Sequence, residues 1–223
     1  MADQPAPIKS LLRGIPVLQG AHHESALDNL GETPHAAFQK WLSDAIDAGV
    51  REPHAMTLST VDSFGFPDAR VLILKNVDER GWHFAVKSTS PKGQHIAGNP
   101  RVALTFYWPD ICRQVRIRGT ALRLPEEECR QDFAQRPLGS RISAMASNQS
   151  QVLLDAGDLI KSRSIAEETF SKNPDTILSD WAVYAVTPIE VEFWQGQADR
   201  QHKRLKYVLR PDDQSWGKAE LWP

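Results

Sequence analysis

Arg101–Leu124, RVALTFYWPDICRQVRIRGTALRL, is the stretch whose reading decides the fold. It contains two strands, RVALTFYW (101 to 108) and RQVRIRGTALRL (113 to 124), and in the second Val115 and Ile117 alternate with Arg116 and Arg118. Alternation with a period of two sends the apolar pair inward and the arginines outward. Upstream, AMTLSTV (55 to 61), the turn Asp62-Ser63-Phe64-Gly65 and ARVLILK (69 to 75) read as a hairpin, and WHFAV (82 to 86) adds another strand. Downstream come three helical stretches, at 125 to 135, 140 to 147 and 157 to 172, the last carrying Leu159, Ile160, Ile165 and Phe170. Strands then return at WAVYAV, IEVEFW, RLKYVLR and KAELW. Five strands, a helical insertion and four more strands do not alternate as βαβ units do. The order predicts a mainly β, α+β fold, an antiparallel barrel with helices packed outside.

Two helices have explicit start signals. Thr33 caps a helix with Pro34 at its first position, and Phe38, Trp41, Leu42, Ala45 and Ile46 recur at helical spacing until Gly49. Ser90-Pro91-Lys92 opens a shorter helix ending near Gly98-Asn99-Pro100. Residues 1 to 32 lack periodicity and read as an arm, with LLRGIPVL as its anchored part, while 33 to 223 form one domain.

Composition narrows the function classes. The chain has 223 residues, 41% hydrophobic and 24% charged, with a formal charge of -2, which gives no global basic field for nucleic acid. No signal-peptide core and no apolar run of about 18 residues is present, so a cytoplasmic protein without a membrane partner is expected. Cys112 and Cys129 form no C-x-x-C pair and read as small semi-buried residues rather than nucleophiles. The histidines, His22 and His23 in the arm included, show no zinc-binding spacing, so no metal is expected.

Four basic segments remain: Arg70 to Lys75, Ser90-Pro91-Lys92, Arg136 to Ser140 and Arg200 to Arg204. Each alone reads as ordinary solvated charge. Together they carry more. Arg70 and Lys75, five apart, point to opposite faces of a regular strand, so one faces inward or lies at a strand end. Ser90-Pro91-Lys92 sets a hydroxyl and an ammonium at a helix N-terminus, a favourable anion position. Gln114 either addresses the edge of a heteroaromatic ring or is a surface glutamine. Arg200 and Arg204 flank His202 at two-residue spacing and on an extended strand share its side, which disfavours protonation of the imidazole. A neutral imidazole beside fixed cations suits a planar anion.

These segments, with NPRVALTFYW, RQVRIRG, RPLGSRISAMASNQS and EFWQGQADRQHKR, resemble the pyridoxamine 5'-phosphate oxidase family in order from about Phe38 to Pro223. The resemblance implies an FMN-binding split β-barrel working as a homodimer, with a C-terminal dimerisation region at about 181 to 223 and flavin held across the subunit interface. It implies cofactor contacts from Arg70, Val71, Leu72, Ile73, Leu74, Lys75, Lys92, Gln114, Gln149, Ser150, Trp194 and Arg204. It places Lys75, Asp132, Arg136 and Ser140 at a substrate phosphate, and Arg200 and His202 over the substrate ring as the catalytic pair. The implied reaction oxidises pyridoxamine or pyridoxine 5'-phosphate to pyridoxal 5'-phosphate, with dioxygen as acceptor and hydrogen peroxide released.

The chain departs from the family pattern in several places. Asp132 stands where the family has a tyrosine, which would set a carboxylate near a phosphate unless it turns away or pairs with Arg136. Pro91 replaces an arginine, R-L-H-D-R reads Arg200-Gln201-His202-Lys203-Arg204, and Trp-Gly-Gly reads Trp181-Ala182-Val183. Two alternatives therefore stand beside the oxidase: a relative acting on another planar substrate, as in phenazine pathways, and a flavin-binding protein without oxidase activity.

Overall fold

The computed structural model describes residues 8–20, 27 and 29–223; His22, His23 and much of the arm lie outside the described residues. Nine strands form one antiparallel sheet: β1 (Ala55–Val61), β2 (Pro67–Ile73), β3 (Asn76–Asp78), β4 (Gly81–Lys87), β5 (Arg101–Trp108), β6 (Arg113–Arg123), β7 (Trp181–Gln195), β8 (Lys203–Leu209) and β9 (Trp216–Glu220). Their order is β2-β1-β5-β6-β7-β4-β3, with β8 branching from β7 and β9 from β8. The branch explains the split. One side of β7 is shared, since Trp181–Val186 pairs with β4 while Glu190–Gln195 pairs with β8.

β7 corrects the sequence reading, in which WAVYAV and IEVEFW were separate strands. Pro188 falls between the two segments and brings no N–H to a ladder. The chain absorbs it in a bulge: register shifts between Arg118 and Gly119, and Gly119 pairs with Pro188. A Cβ on Gly119 would stand 2.2 Å from the Thr187 carbonyl oxygen, so only glycine fits beside the bulge. The three-residue β3 escaped detection because it is too short to show alternation. Its turn back into β4 needs Gly81, which has φ +124° and approaches so closely that a Cβ would lie 1.9 Å from Val186 O.

The helices are α1 (Ile8–Arg13), α2 (Pro34–Asp47), α3 (Pro91–Gly98), α4 (Glu126–Ala134), α5 (Leu138–Ala146) and α6 (Ala156–Lys172). The expected caps are in place. Thr33 Oγ1 accepts from Ala36 N at 3.3 Å, and α2 buries Ala37, Phe38, Trp41 and Ala45, whereas Ile46 points outward. Within LLRGIPVL, Leu11, Leu12, Ile15 and Val17 are exposed, and contact is made at its last residue, where Leu18 Cδ2 would lie 3.0 Å from a Cβ on Gly196. It continues at Gly20, where a Cβ would meet the Pro109 and Asp110 backbone at 2.4–2.6 Å.

Three apolar clusters result, the third a small one of Leu124, Cys129, Val183 and Ala185. Of the two main cores, the larger fills the barrel with Phe38, Trp41, Trp82, Phe84, Phe106, Phe193 and Tyr207, and Trp41 meets Phe193 edge-on at 5.1 Å. The smaller, under α4 to α6, holds Phe133, Ile142, Ala166, Phe170 and Trp181, with Ala85 of β4 packed against it.

Candidate active site

A cleft opens beside that smaller core, in two lobes of about 340 and 560 Å³ that share Leu72, Ala85, Arg136 and Ser140 as a common wall. In the first lobe Lys92 is 6% exposed, and its ammonium donates to Gln149 Oε1 at 2.6 Å and to Ser90 Oγ at 3.3 Å. Ser90 also caps α3, accepting from Gly93 N at 3.4 Å while donating to Lys87 O at 2.7 Å. Burial, and then the charge of Arg70, push the Lys92 pKa down against the opposing pull of Asp68. A buried ammonium next to a guanidinium is a site that an anion would relieve. Arg70 itself donates to Leu58 O at 3.2 Å and Thr60 Oγ1 at 2.8 Å and is ion-paired with Asp68, so it acts largely through its field.

The second lobe is walled by Val71, Ile73, Lys75, Asp132, Pro137 and the shared residues. Strand β2 ends at Ile73, so Leu74 and Lys75 lie just beyond it, and of the two expected placements Lys75 takes the one at the strand end. Lys75 N donates to His83 O at 2.8 Å, which fixes the turn and sends the side chain to the cleft. Its Nζ lies 2.9 Å from Asp132 Oδ1. The expected Asp132–Arg136 pair is thus corrected. Arg136 lies over Trp181, 4.2 Å from the ring centroid, with a long 3.4 Å bond to Ser140 O, and burial lowers its pKa.

The remaining expected residues gather elsewhere. Gln114 of β6 pairs with Trp194 of β7, whose ring stands 4.9 Å from that of His202. Arg200 has φ +69°, a left-handed backbone conformation, and β8 begins only at Lys203, so Arg200, His202 and Arg204 do not share one face of an extended strand. Arg204 is committed to Glu192 at 2.8 and 2.9 Å. His202 Nδ1 accepts from Gln197 N at 3.1 Å; in the neutral ring the proton therefore sits on Nε2, which becomes a donor. A separate cavity of about 330 Å³ lies here, walled by Leu27, His202 and Arg204 among others, and it shares no wall residue with the cleft.

The two groups sit on different parts of the curled sheet within one subunit. The row Val71, Thr57, Thr105, Arg116, Glu192 crosses four interstrand steps, roughly 19 Å of sheet at about 4.8 Å each. Sequence reasoning gave no site role to Lys87, Ser143, Ser147 and Trp181, which also wall the first lobe. Lys87 ties β4 to the end of α5 through Ala144 O and Ser147 O at 3.1 and 2.8 Å, and so positions the segment carrying Gln149. Among the described residues no group of three or more His, Cys, Asp or Glu could hold a metal, and no helix is long and apolar enough to cross a membrane.

A family model described as pyridoxamine 5'-phosphate oxidase matches residues 42–195, and one for the pyridoxine 5'-phosphate oxidase C-terminal dimerisation region matches 181–223. The chain belongs to the pyridoxamine 5'-phosphate oxidase family. The pyridoxine/pyridoxamine 5'-phosphate oxidase of Pseudomonas paraeruginosa is 40% identical over 197 residues, covering 87% of this chain and 91% of that one. The Haemophilus influenzae protein of the same name is 42% identical over 195 residues, covering 86% and 90%. Among solved structures, PhzG from Burkholderia lata in complex with tetrahydrophenazine-1-carboxylic acid is 29% identical, with a TM-score of 0.81 over 90% of this chain and 97% of that one. The split-barrel architecture of the family is therefore shared over nearly the whole chain.

Proposed function

We propose that this chain is an FMN-dependent oxidase that converts pyridoxamine or pyridoxine 5'-phosphate to pyridoxal 5'-phosphate, working as a homodimer with composite sites. The observation that carries the reading is the cleft itself, with Lys92 buried in one lobe under the field of Arg70, Lys75 in the other, and Arg136 in the wall they share. The first lobe fits the flavin phosphate, because a buried ammonium with a depressed pKa gains from an anion. Arg70, Lys92 and Gln149 would hold FMN there, with Val71, Leu72, Ile73, Leu74, Lys75 and Ser150 beside it and Gln114, Trp194 and Arg204 completing the site from the second subunit. Bound FMN would supply the hydride acceptor, and its reoxidation by dioxygen would release hydrogen peroxide.

The protein's own part is positioning. Arg136 and Ser140 would receive the anionic head of the substrate, and Arg200 and His202 of the second subunit would cover its ring, with His202 Nε2–H as a directed donor. The dimerisation-region match and the exposed Val71, Ile73 and Tyr107 on the outer sheet support the second subunit. Incubation of the FMN-loaded protein with either vitamin phosphate in air should yield peroxide and pyridoxal 5'-phosphate; absence of both rejects this substrate. A second reading, oxidation of another planar substrate, is favoured by one observation, the Lys75–Asp132 pair in the substrate lobe.

A further inference from the structure

The substrate lobe holds three charged side chains, and they are unequally paired. Asp132 Oδ1 lies 2.9 Å from Lys75 Nζ, and its Oδ2 accepts from Trp181 Nε1 at 2.8 Å. With both oxygens held, the carboxylate is fixed in place beside the lysine. The two side chains are 19% and 32% exposed, so water screens them less than an open surface pair. Arg136 is left over: it lies on Trp181, and its Nε is buried without a hydrogen-bond partner among the described residues. Counting Lys75 and Arg136 as +1 each and Asp132 as -1 gives a net charge of +1 for these three side chains.

We propose that Asp132 weakens this lobe's hold on a phosphate dianion, so that planar substrates whose anionic head carries a single negative charge, such as a carboxylate, are accepted alongside the phosphates. The inference rests on the reading of the cleft as the substrate site and widens its substrate class. A second charge on the ligand meets a fixed carboxylate where an unpaired Lys75 would otherwise stand, and at about 4 Å and an effective dielectric of about 20 that repulsion alters affinity by orders of magnitude. A carboxylate needs only the planar donor fork of Arg136.

Asp132→Asn removes the charge and keeps an oxygen for the Trp181 N–H. Flavin-loaded wild type and variant are titrated calorimetrically at about pH 7.5 with 4-deoxypyridoxine 5'-phosphate, which lacks the oxidisable 4' oxygen, and with phenazine-1-carboxylate. The variant should bind the phosphate at least about tenfold more tightly while its affinity for the carboxylate stays within about threefold. Lys75→Met should weaken phosphate binding in either background, because introduced alone it also leaves the Asp132 carboxylate unpaired beside the ligand. Equal phosphate affinities of wild type and the Asp132→Asn variant overturn the proposal, as does failure of either protein to bind both probes. Turnover of pyridoxamine 5'-phosphate alongside equal affinities would overturn only the charge assignment and leave the oxidase reading standing. The expected contrast without turnover would support the proposal and reject the vitamin phosphates as substrates.

Discussion

Tyr207 shows how one buried group ties the N-terminal segment to the barrel. Its side chain is fully buried, and its hydroxyl donates to Gly31 O at 2.8 Å with Leu30 O at 3.3 Å. Burial, and then the negative charge of Glu32, push its pKa up to about 12. Because the unfolded tyrosine titrates near 10, the stabilisation is complete below pH 10. Above that the unfolded state ionises first, and stability falls by up to about 1.4 kcal/mol per pH unit until the native phenol also titrates. Urea unfolding between pH 8 and 11.5 should show this loss in the wild type and a shallower one in Tyr207→Phe; identical slopes would remove Tyr207 as its source. The same scale shows where sequence reading stops. Asp132 and Arg136 have helical i,i+4 spacing, which favours pairing. Helix α4, however, ends at Ala134, so the two residues share no helical face, and Asp132 finds Lys75 across the cleft instead. A helix end two residues early redirected the carboxylate, and spacing alone does not reveal that.

Among the elements, α3 joins a local signal to the site. Ser90 and Thr33 are both caps legible from Ser-Pro and Thr-Pro, yet only Ser90 Oγ also contacts a cleft ammonium, that of Lys92. Replacing either by alanine should cost about 1 kcal/mol of stability. Ser90→Ala should in addition weaken FMN binding several-fold by fluorescence titration, whereas Thr33→Ala should leave it unchanged; equal effects on FMN would mean that the Ser90 cap matters only for folding. Caps and the alternation of Val115 and Ile117 were readable because they rest on neighbours in sequence. The continuity of β7 through Pro188 was not, since it depends on an extra β7 residue, Ile189, being accommodated opposite β6, whose Gly119 is distant in sequence.

At the scale of the whole molecule, the residues of the expected site were identifiable, but their division into two separated groups was not, because spacing along the chain does not report which subunit supplies a side chain. One group lines the cleft near β2, α3 and α5, and the other lies at the far end of β7, where Trp194 and His202 stand. If the working site joins the cleft of one subunit to the His202 group of the other, two inactive variants can repair each other. Lys92→Met damages only the cleft, and His202→Leu damages only the second group. In a mixed dimer one site then carries both defects and the other carries none. Random reassembly makes half of the dimers mixed, so co-refolded equal amounts should recover roughly a quarter of wild-type activity, from a closed two-fold pairing of identical chains. Each variant refolded alone should stay inactive. A mixture no more active than its parts, with heterodimers confirmed by differently tagged subunits, would place the whole site in one protomer and require the His202 group to reach the cleft by a rearrangement of the loop between β7 and β8.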